Sequence, residues 1–119
     1  MTSFAVKSFT AGLLSIVFMG CASAPDDLYY WGSYEDALYD MYLKPGNASL
    51  TDQILRMEEQ IEQAAAKGKP VPPGVHSHLG YLYINDGDYG AAVIHFQREK
   101  ENFPESTDFI DGILRRMKK

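Results

Sequence analysis

The residues that could do chemistry are few, and their spacing matches no known catalytic pattern. His76 and His78 lie two residues apart, which on a helix turns them about 200° from each other, so they cannot readily share a metal ion. His95 belongs to the next predicted helix and could approach one of them. One face of the second predicted helix is acidic and carries Glu58, Glu59 and Glu62. Such faces are more often solvated than catalytic. The chain has no nucleophile-elbow serine and no phosphate-binding glycine loop, so we predict no catalytic, cofactor or metal site and no enzyme activity.

The only cysteine, Cys21, follows a leader that is typical of export. Lys7 precedes an apolar run over residues 9–19, which has the length of a signal-peptide core and is short of the roughly 20 residues that span a bilayer. Residues 18–21, Phe-Met-Gly-Cys, resemble the cleavage box of bacterial lipoproteins, with Phe where Leu is usual. We therefore predict a cleaved lipoprotein signal peptide over residues 1–20 and acylation of Cys21. The alternative is a cytosolic protein with an apolar N-terminus.

Lipoprotein status would place the protein at a lipid bilayer. The residue after the cysteine is Ala22 rather than Asp, which resembles the outer-membrane signal of enterobacterial lipoproteins and implies a periplasm-facing location. Residues 21–27 form the predicted tether, and the six residues after the cysteine reach at most about 20 Å. The net charge of −5 argues against nucleic-acid partners, because those require a basic face.

Residues 28–119 show helical spacing of apolar residues throughout and predict one all-α domain of about five helices. The first is expected over residues 34–43, the second from Leu50 with Ser49 as its cap, and the third from Pro72 and Pro73 to about Asn85. The fourth is expected over residues 89–102 and the last from about Thr107. We expect the last helix to bury one side, which comprises Phe109, Ile110, Ile113, Leu114 and Met117.

Residues 73–106 carry a 34-residue pattern that resembles a tetratricopeptide repeat. Its repeat-defining positions are Leu79, Gly80, Tyr83, Ala92, Phe96 and Pro104. The two small residues let antiparallel helices approach closely, the two aromatic residues fill the remaining space, and the proline ends the unit. The chain departs from the pattern at His76, where Trp is common, and at Glu99, where Ala is common. Glu99 suggests a looser or more solvent-exposed contact with whatever follows.

Aromatic residues cluster just before and within the first predicted helix. The candidates for partner docking are Tyr29, Tyr30, Trp31, Tyr34 and Tyr39. Trp and Tyr are enriched among interface anchors because they bury much area and keep a polar group. The alternative is that this side of the helix simply packs on the second helix.

The Tyr-Tyr-Trp-Gly-Ser-Tyr run over residues 29–34, together with Gly-Tyr-Leu-Tyr over residues 80–83, resembles the domain-of-unknown-function family 4810, a group of small bacterial lipoproteins. Membership implies no established biochemical activity. Such proteins tend to be encoded beside other small lipoproteins and relatives of the curli secretion channel, which implies envelope partners of those kinds. We therefore expect a lipid-anchored adaptor or assembly factor. The alternatives are a regulator of a cell-wall enzyme and a self-associating structural lipoprotein.

Overall fold

The computed structural model describes residues 26–118, which form five α-helices and contain no strand. The helices are α1 (Tyr34–Leu43), α2 (Leu50–Ala66), α3 (Val75–Asp86), α4 (Tyr89–Asn102) and α5 (Thr107–Met117), with a 3₁₀ turn at Pro104–Ser106 before the last. This confirms the predicted all-α fold. The predicted signal peptide, Cys21 and most of the predicted tether lie outside the described residues. No helix within residues 26–118 is both long and apolar enough to cross a bilayer.

Local capping groups set the ends of several helices. Ser49 Oγ accepts a hydrogen bond from Asp52 N at 3.1 Å, and Asp52 Oδ2 accepts one from Ser49 N at 3.3 Å, which makes a reciprocal capping box for α2. Asp88 caps α4 by accepting from Ala91 N at 2.9 Å. These signals explain why α2 and α4 begin where the sequence predicts.

The third helix begins later than the prolines suggest. Gly74 has a φ of 96°, a left-handed conformation that other residues rarely adopt, and α3 starts only after it, at Val75. Pro72 is fully buried in the approach to the helix rather than in its first turn.

The core has two parts that meet at the α3–α4 hairpin. The first joins α1, α2 and α3 and includes Tyr34, Met57 and Leu79. The second joins α4 and α5 and consists of Ala92, Phe96 and Ile110, with Tyr83 packed against both parts. α3 and α4 make the most extensive contact between any two helices described.

The fifth helix buries less than predicted. Of its expected apolar side, Ile110 is fully buried, whereas Phe109 remains 64% exposed. Ile110 packs on α4, and Phe109 instead lines a groove that leads across α3 to α1.

Candidate functional site

An apolar groove of about 370 Å³ runs between α1, α3 and α5. Three of its aromatic side chains are well exposed, namely Tyr42 at 73%, Tyr81 at 52% and Phe109 at 64%. The other lining residues are Tyr34, Leu38, Met41, Ser77, His78, Ile84, Phe96 and Ile113. None of these is an Asp, Glu, Lys or Arg, so the groove is lined by aromatic and aliphatic surface with few polar atoms.

The groove floor is neutral at neutral pH. The rings of Tyr34 and His78 meet edge to face with centroids 6.2 Å apart. Burial lowers the pKa of His78, so the imidazole is uncharged. Burial, followed by the negative charge of Glu99, raises the pKa of Tyr34 to about 12, so the phenol keeps its proton. An occupant therefore meets no formal charge in the groove.

Glu99 holds the first turn of α3, the helix that forms the groove floor. Its carboxylate accepts hydrogen bonds from Gly74 N at 2.7 Å and from Ser77 N at 3.2 Å. The side chain is only 3% exposed, so the expectation of a more solvent-exposed contact was wrong. A carboxylate here satisfies amide groups that a helix start leaves unpaired, and its charge complements the positive end of the helix.

A buried glutamine ties the aromatic segment to α2. Gln60 is 1% exposed, and its amide nitrogen donates to the carbonyls of Tyr30 at 2.7 Å and Trp31 at 3.0 Å. Its amide oxygen accepts from Ser33 N at 3.0 Å. Gly32 has a φ of 46°, and a Cβ atom there would lie 2.3 Å from the Gln60 Oε1 atom. Glycine is therefore required in this turn for both its conformation and its lack of a side chain.

Comparison with known proteins identifies the family of the chain. The family model for a domain of unknown function, DUF4810, matches residues 28–113. The chain belongs to the DUF4810 family. No curated protein and no solved structure matches it. The matched residues include the Gln60-bound turn, the α3–α4 hairpin and the groove, so these are parts of the DUF4810 domain itself.

The five predicted docking residues do not form one surface in the DUF4810 domain. Tyr29 and Trp31 lie together, with ring centroids 6.4 Å apart. Tyr30 Oη donates to Gln63 at 2.6 Å, while Tyr34 is in the core at 7% exposure and also lines the groove. Tyr39 is 53% exposed on another part of α1, near Lys44.

The repeat-defining residues of the DUF4810 domain lie in and beside the α3–α4 contact. Leu79 and Ala92 are fully buried, and Phe96 is 1% exposed. A Cβ atom on Gly80 would lie 2.9 Å from the Phe96 ring, so these helices approach as closely as the small residue allows. Tyr83 bridges the two core clusters, and Pro104 opens the turn that follows α4.

Two of the histidines meet between α3 and α4. The Nδ1 atoms of His76 and His95 are 3.1 Å apart, and Tyr83 stacks on His95 with ring centroids 5.5 Å apart. Tyr83 Oη donates in turn to Glu58. Burial lowers the pKa of both histidines, which are also near the cationic Arg98. No group of three or more potential metal ligands occurs within residues 26–118.

The sequence analysis missed Gln60, the carboxylate cap of Glu99 and the lining of the groove beyond Tyr34. Gln60 had a detectable signal, because it is a polar residue three positions after Met57 and four before Ala64 on the buried stripe of α2. The groove had no such signal in the sequence, since it arises only where three helices that are distant in sequence come together.

Proposed function

We propose that this DUF4810 protein is a lipid-anchored adaptor that faces the periplasm from the outer membrane and helps to assemble a complex in the cell envelope. It acts by binding other proteins rather than by catalysis. Its partners are other envelope lipoproteins or proteins that resemble secretion channels. The observation that carries the proposal is the apolar groove with its three exposed aromatic rings.

The groove favours one kind of occupant, an amphipathic helix from a partner protein. The cores of protein interfaces are depleted in charge and enriched in aromatic residues, as this lining is. Apart from its tyrosine hydroxyls, the lining has two polar side chains, Ser77 and His78, so it offers few hydrogen bonds to an extended peptide backbone. A helix satisfies its own backbone and presents apolar side chains at intervals of three and four residues, so it fits this surface better than a strand.

The test compares two tyrosines of similar exposure. Tyr81, at 52%, lines the groove, whereas Tyr89, at 58%, lies on α4 outside it. We expect Tyr81→Glu to abolish co-purification of the partner from detergent-solubilised envelopes, because it places a charge in an uncharged groove. Tyr89→Glu should leave co-purification unchanged. Equal loss, or no loss, in the two variants would refute the groove as the docking site.

The proposed membrane location depends on acylation of Cys21, and the leader that precedes this residue supports such an anchor. Several buried acyl chains hold a protein on a membrane effectively permanently, because each CH₂ contributes about 0.8 kcal/mol. Cys21→Ala should therefore move the protein from the membrane fraction to the soluble fraction. In the wild-type protein, mass spectrometry of the N-terminal peptide should show the acyl chains directly.

The alternative role as regulator of a cell-wall enzyme has one observation in its favour, the pair of His76 and His95 beside Glu58. The ring nitrogens of this pair face each other, and neither histidine lines the groove. If this alternative is right, His95→Asn should change cell-wall hydrolysis while partner binding stays intact. Self-association, the third role, predicts a concentration-dependent dimer in sedimentation that Tyr81→Glu disrupts.

A further inference from the structure

A second surface lies where the described chain begins, and none of its residues lines the groove. We call it the Leu28 patch, and it consists of Leu28, Tyr29, Trp31, Pro70, Val71, Asn102 and Phe103. Tyr29 joins its parts, because its ring packs edge to face against both Trp31 and Phe103, at centroid distances of 6.4 and 6.0 Å. Leu28 is 73% exposed and Trp31 is 40% exposed.

The start of the domain is fastened next to this patch. Lys69 Nζ donates to Asp26 Oδ1 at 2.8 Å and to the Asp27 carbonyl at 3.1 Å. Tyr30 N donates to the Pro70 carbonyl at 2.8 Å, and Gln60 holds the carbonyls of the next turn. The point at which the tether leaves the domain is therefore fixed, and it lies within two residues of Leu28.

The length of the tether then limits which surface can meet the membrane. Cys21 precedes Asp26 by five residues, so the acylated residue lies at most about 18 Å from the fixed exit point. The surface around that exit is held against the bilayer more closely than any other. It exposes a Leu and a Trp beside a half-buried Tyr, and the two aromatic types are those enriched at membrane interfaces, where an apolar ring meets polar headgroups.

We propose that the Leu28 patch inserts into the headgroup region of the bilayer that carries the anchor, and so fixes the orientation of the domain on the membrane. This inference rests on the proposed acylation of Cys21. The occupant of the patch is the lipid interface rather than a protein. The groove, whose lining shares no residue with the patch, is then left free for the partner helix.

Trp31 provides the test, because it is the only tryptophan in the chain and all tryptophan fluorescence comes from it. The acylated protein is purified from membranes, its acylation is checked by mass, and it is reconstituted into vesicles of phosphatidylethanolamine and phosphatidylglycerol with brominated acyl chains. A side chain inserted about 5–10 Å into the interface lies near those bromines, so we expect about twofold lower fluorescence than in unbrominated vesicles. Iodide in solution should quench it weakly.

Two exposed leucines give a matched pair of variants. Leu28→Glu should restore most of the fluorescence lost to brominated lipid, because the charge opposes insertion of the patch. Leu55→Glu changes a leucine of 57% exposure on α2, outside the patch, and should leave the quenching as it is.

The other outcomes each overturn the proposal in a distinguishable way. If the protein is acylated but Trp31 is quenched by iodide and not by brominated lipid, the patch faces solvent while the anchor stands. If Trp31 is shielded from both quenchers only at high protein concentration, a second copy covers the patch. If mass spectrometry finds no acyl chain on Cys21, the anchor fails and the orientation fails with it.

Discussion

Replacing the buried Gln60 by leucine tests the link between α2 and the aromatic turn. The substitution keeps the side chain's size but removes its three hydrogen bonds. The Trp31 carbonyl also accepts from Tyr34 N at 2.9 Å and keeps a partner. Within residues 26–118, Gln60 is the only hydrogen-bond partner of the Tyr30 carbonyl and the Ser33 amide, so these two groups lose theirs.

A buried backbone group left unpaired costs about 1–3 kcal/mol, and the hydrogen bonds to the Tyr30 carbonyl and the Ser33 amide are partly buried, so we expect Gln60→Leu to lower the free energy of unfolding by about 2–4 kcal/mol. That is a large part of the roughly 5–15 kcal/mol that stabilises a typical domain. The assay is urea unfolding followed by circular dichroism for the helices and by fluorescence for Trp31. Because the lost bonds flank Trp31, its fluorescence should change at lower urea than the helical signal.

Gln63→Leu is the matched control on the same helix. Gln63 is exposed and accepts from Tyr30 Oη at 2.6 Å, a bond that water can replace. Substitutions at exposed sites usually change stability by about 0.5 kcal/mol or less. If Gln60→Leu and Gln63→Leu lower the free energy of unfolding equally, the reasoning about the buried amide is refuted.

Three further perturbations test the α3–α4 hairpin. Gly80→Ala should destabilise by about 1–2 kcal/mol in urea unfolding, because crowding of the Phe96 ring outweighs the gain of up to about 1 kcal/mol in helix propensity. Glu99→Gln should lower the free energy of unfolding by about 2–3 kcal/mol, since charged hydrogen bonds to the start of α3 are lost. Burial, followed by His95 and Arg98, lowers the pKa of His76 to about 4, from 6.5 in the unfolded chain. The unfolded state therefore binds more protons, and the contribution of His76 to stability, complete above pH 6.5, should be lost towards pH 4, so the wild type should lose up to about 3 kcal/mol more than His76→Asn.

Each of these has a control and a contradicting result. Gly90→Ala, whose new Cβ would meet only ordinary contacts, should be neutral or stabilising, and a cost equal to that of Gly80→Ala would contradict the packing argument. Glu101→Gln alters an exposed carboxylate on the same helix and should have little effect. The difference in the free energy of unfolding between His76→Asn and the wild type should change between pH 6.5 and pH 4. A constant difference would show that protonation of His76 does not limit stability.

Helix boundaries could be predicted because their causes are local. Ser49 and Asp88 cap helices through groups three residues away. The fourth helix was predicted over residues 89–102, which are its observed bounds. The start of α3 was predicted too early, since only the structure shows that Gly74 takes a left-handed conformation there.

The contacts that position the site could not be predicted in this way. Glu99 reaches Gly74 across 25 residues, and Gln60 reaches Tyr30 across 30. Neither partner is a side chain, so no pattern of residue types reveals the pairing. Burial of Phe109 was predicted from helical periodicity, which identifies an apolar face but not whether a neighbouring helix covers it.

Site-specific photo-crosslinking in intact envelopes tests the adaptor function most directly. A photoreactive amino acid replaces Tyr81 in the groove or, as the control, Tyr89 outside it. The account predicts one dominant crosslinked envelope protein from position 81, attached through an amphipathic helix, and no such product from position 89. The same product at equal yield from both positions, or a crosslink only to a second copy of this chain, would contradict it.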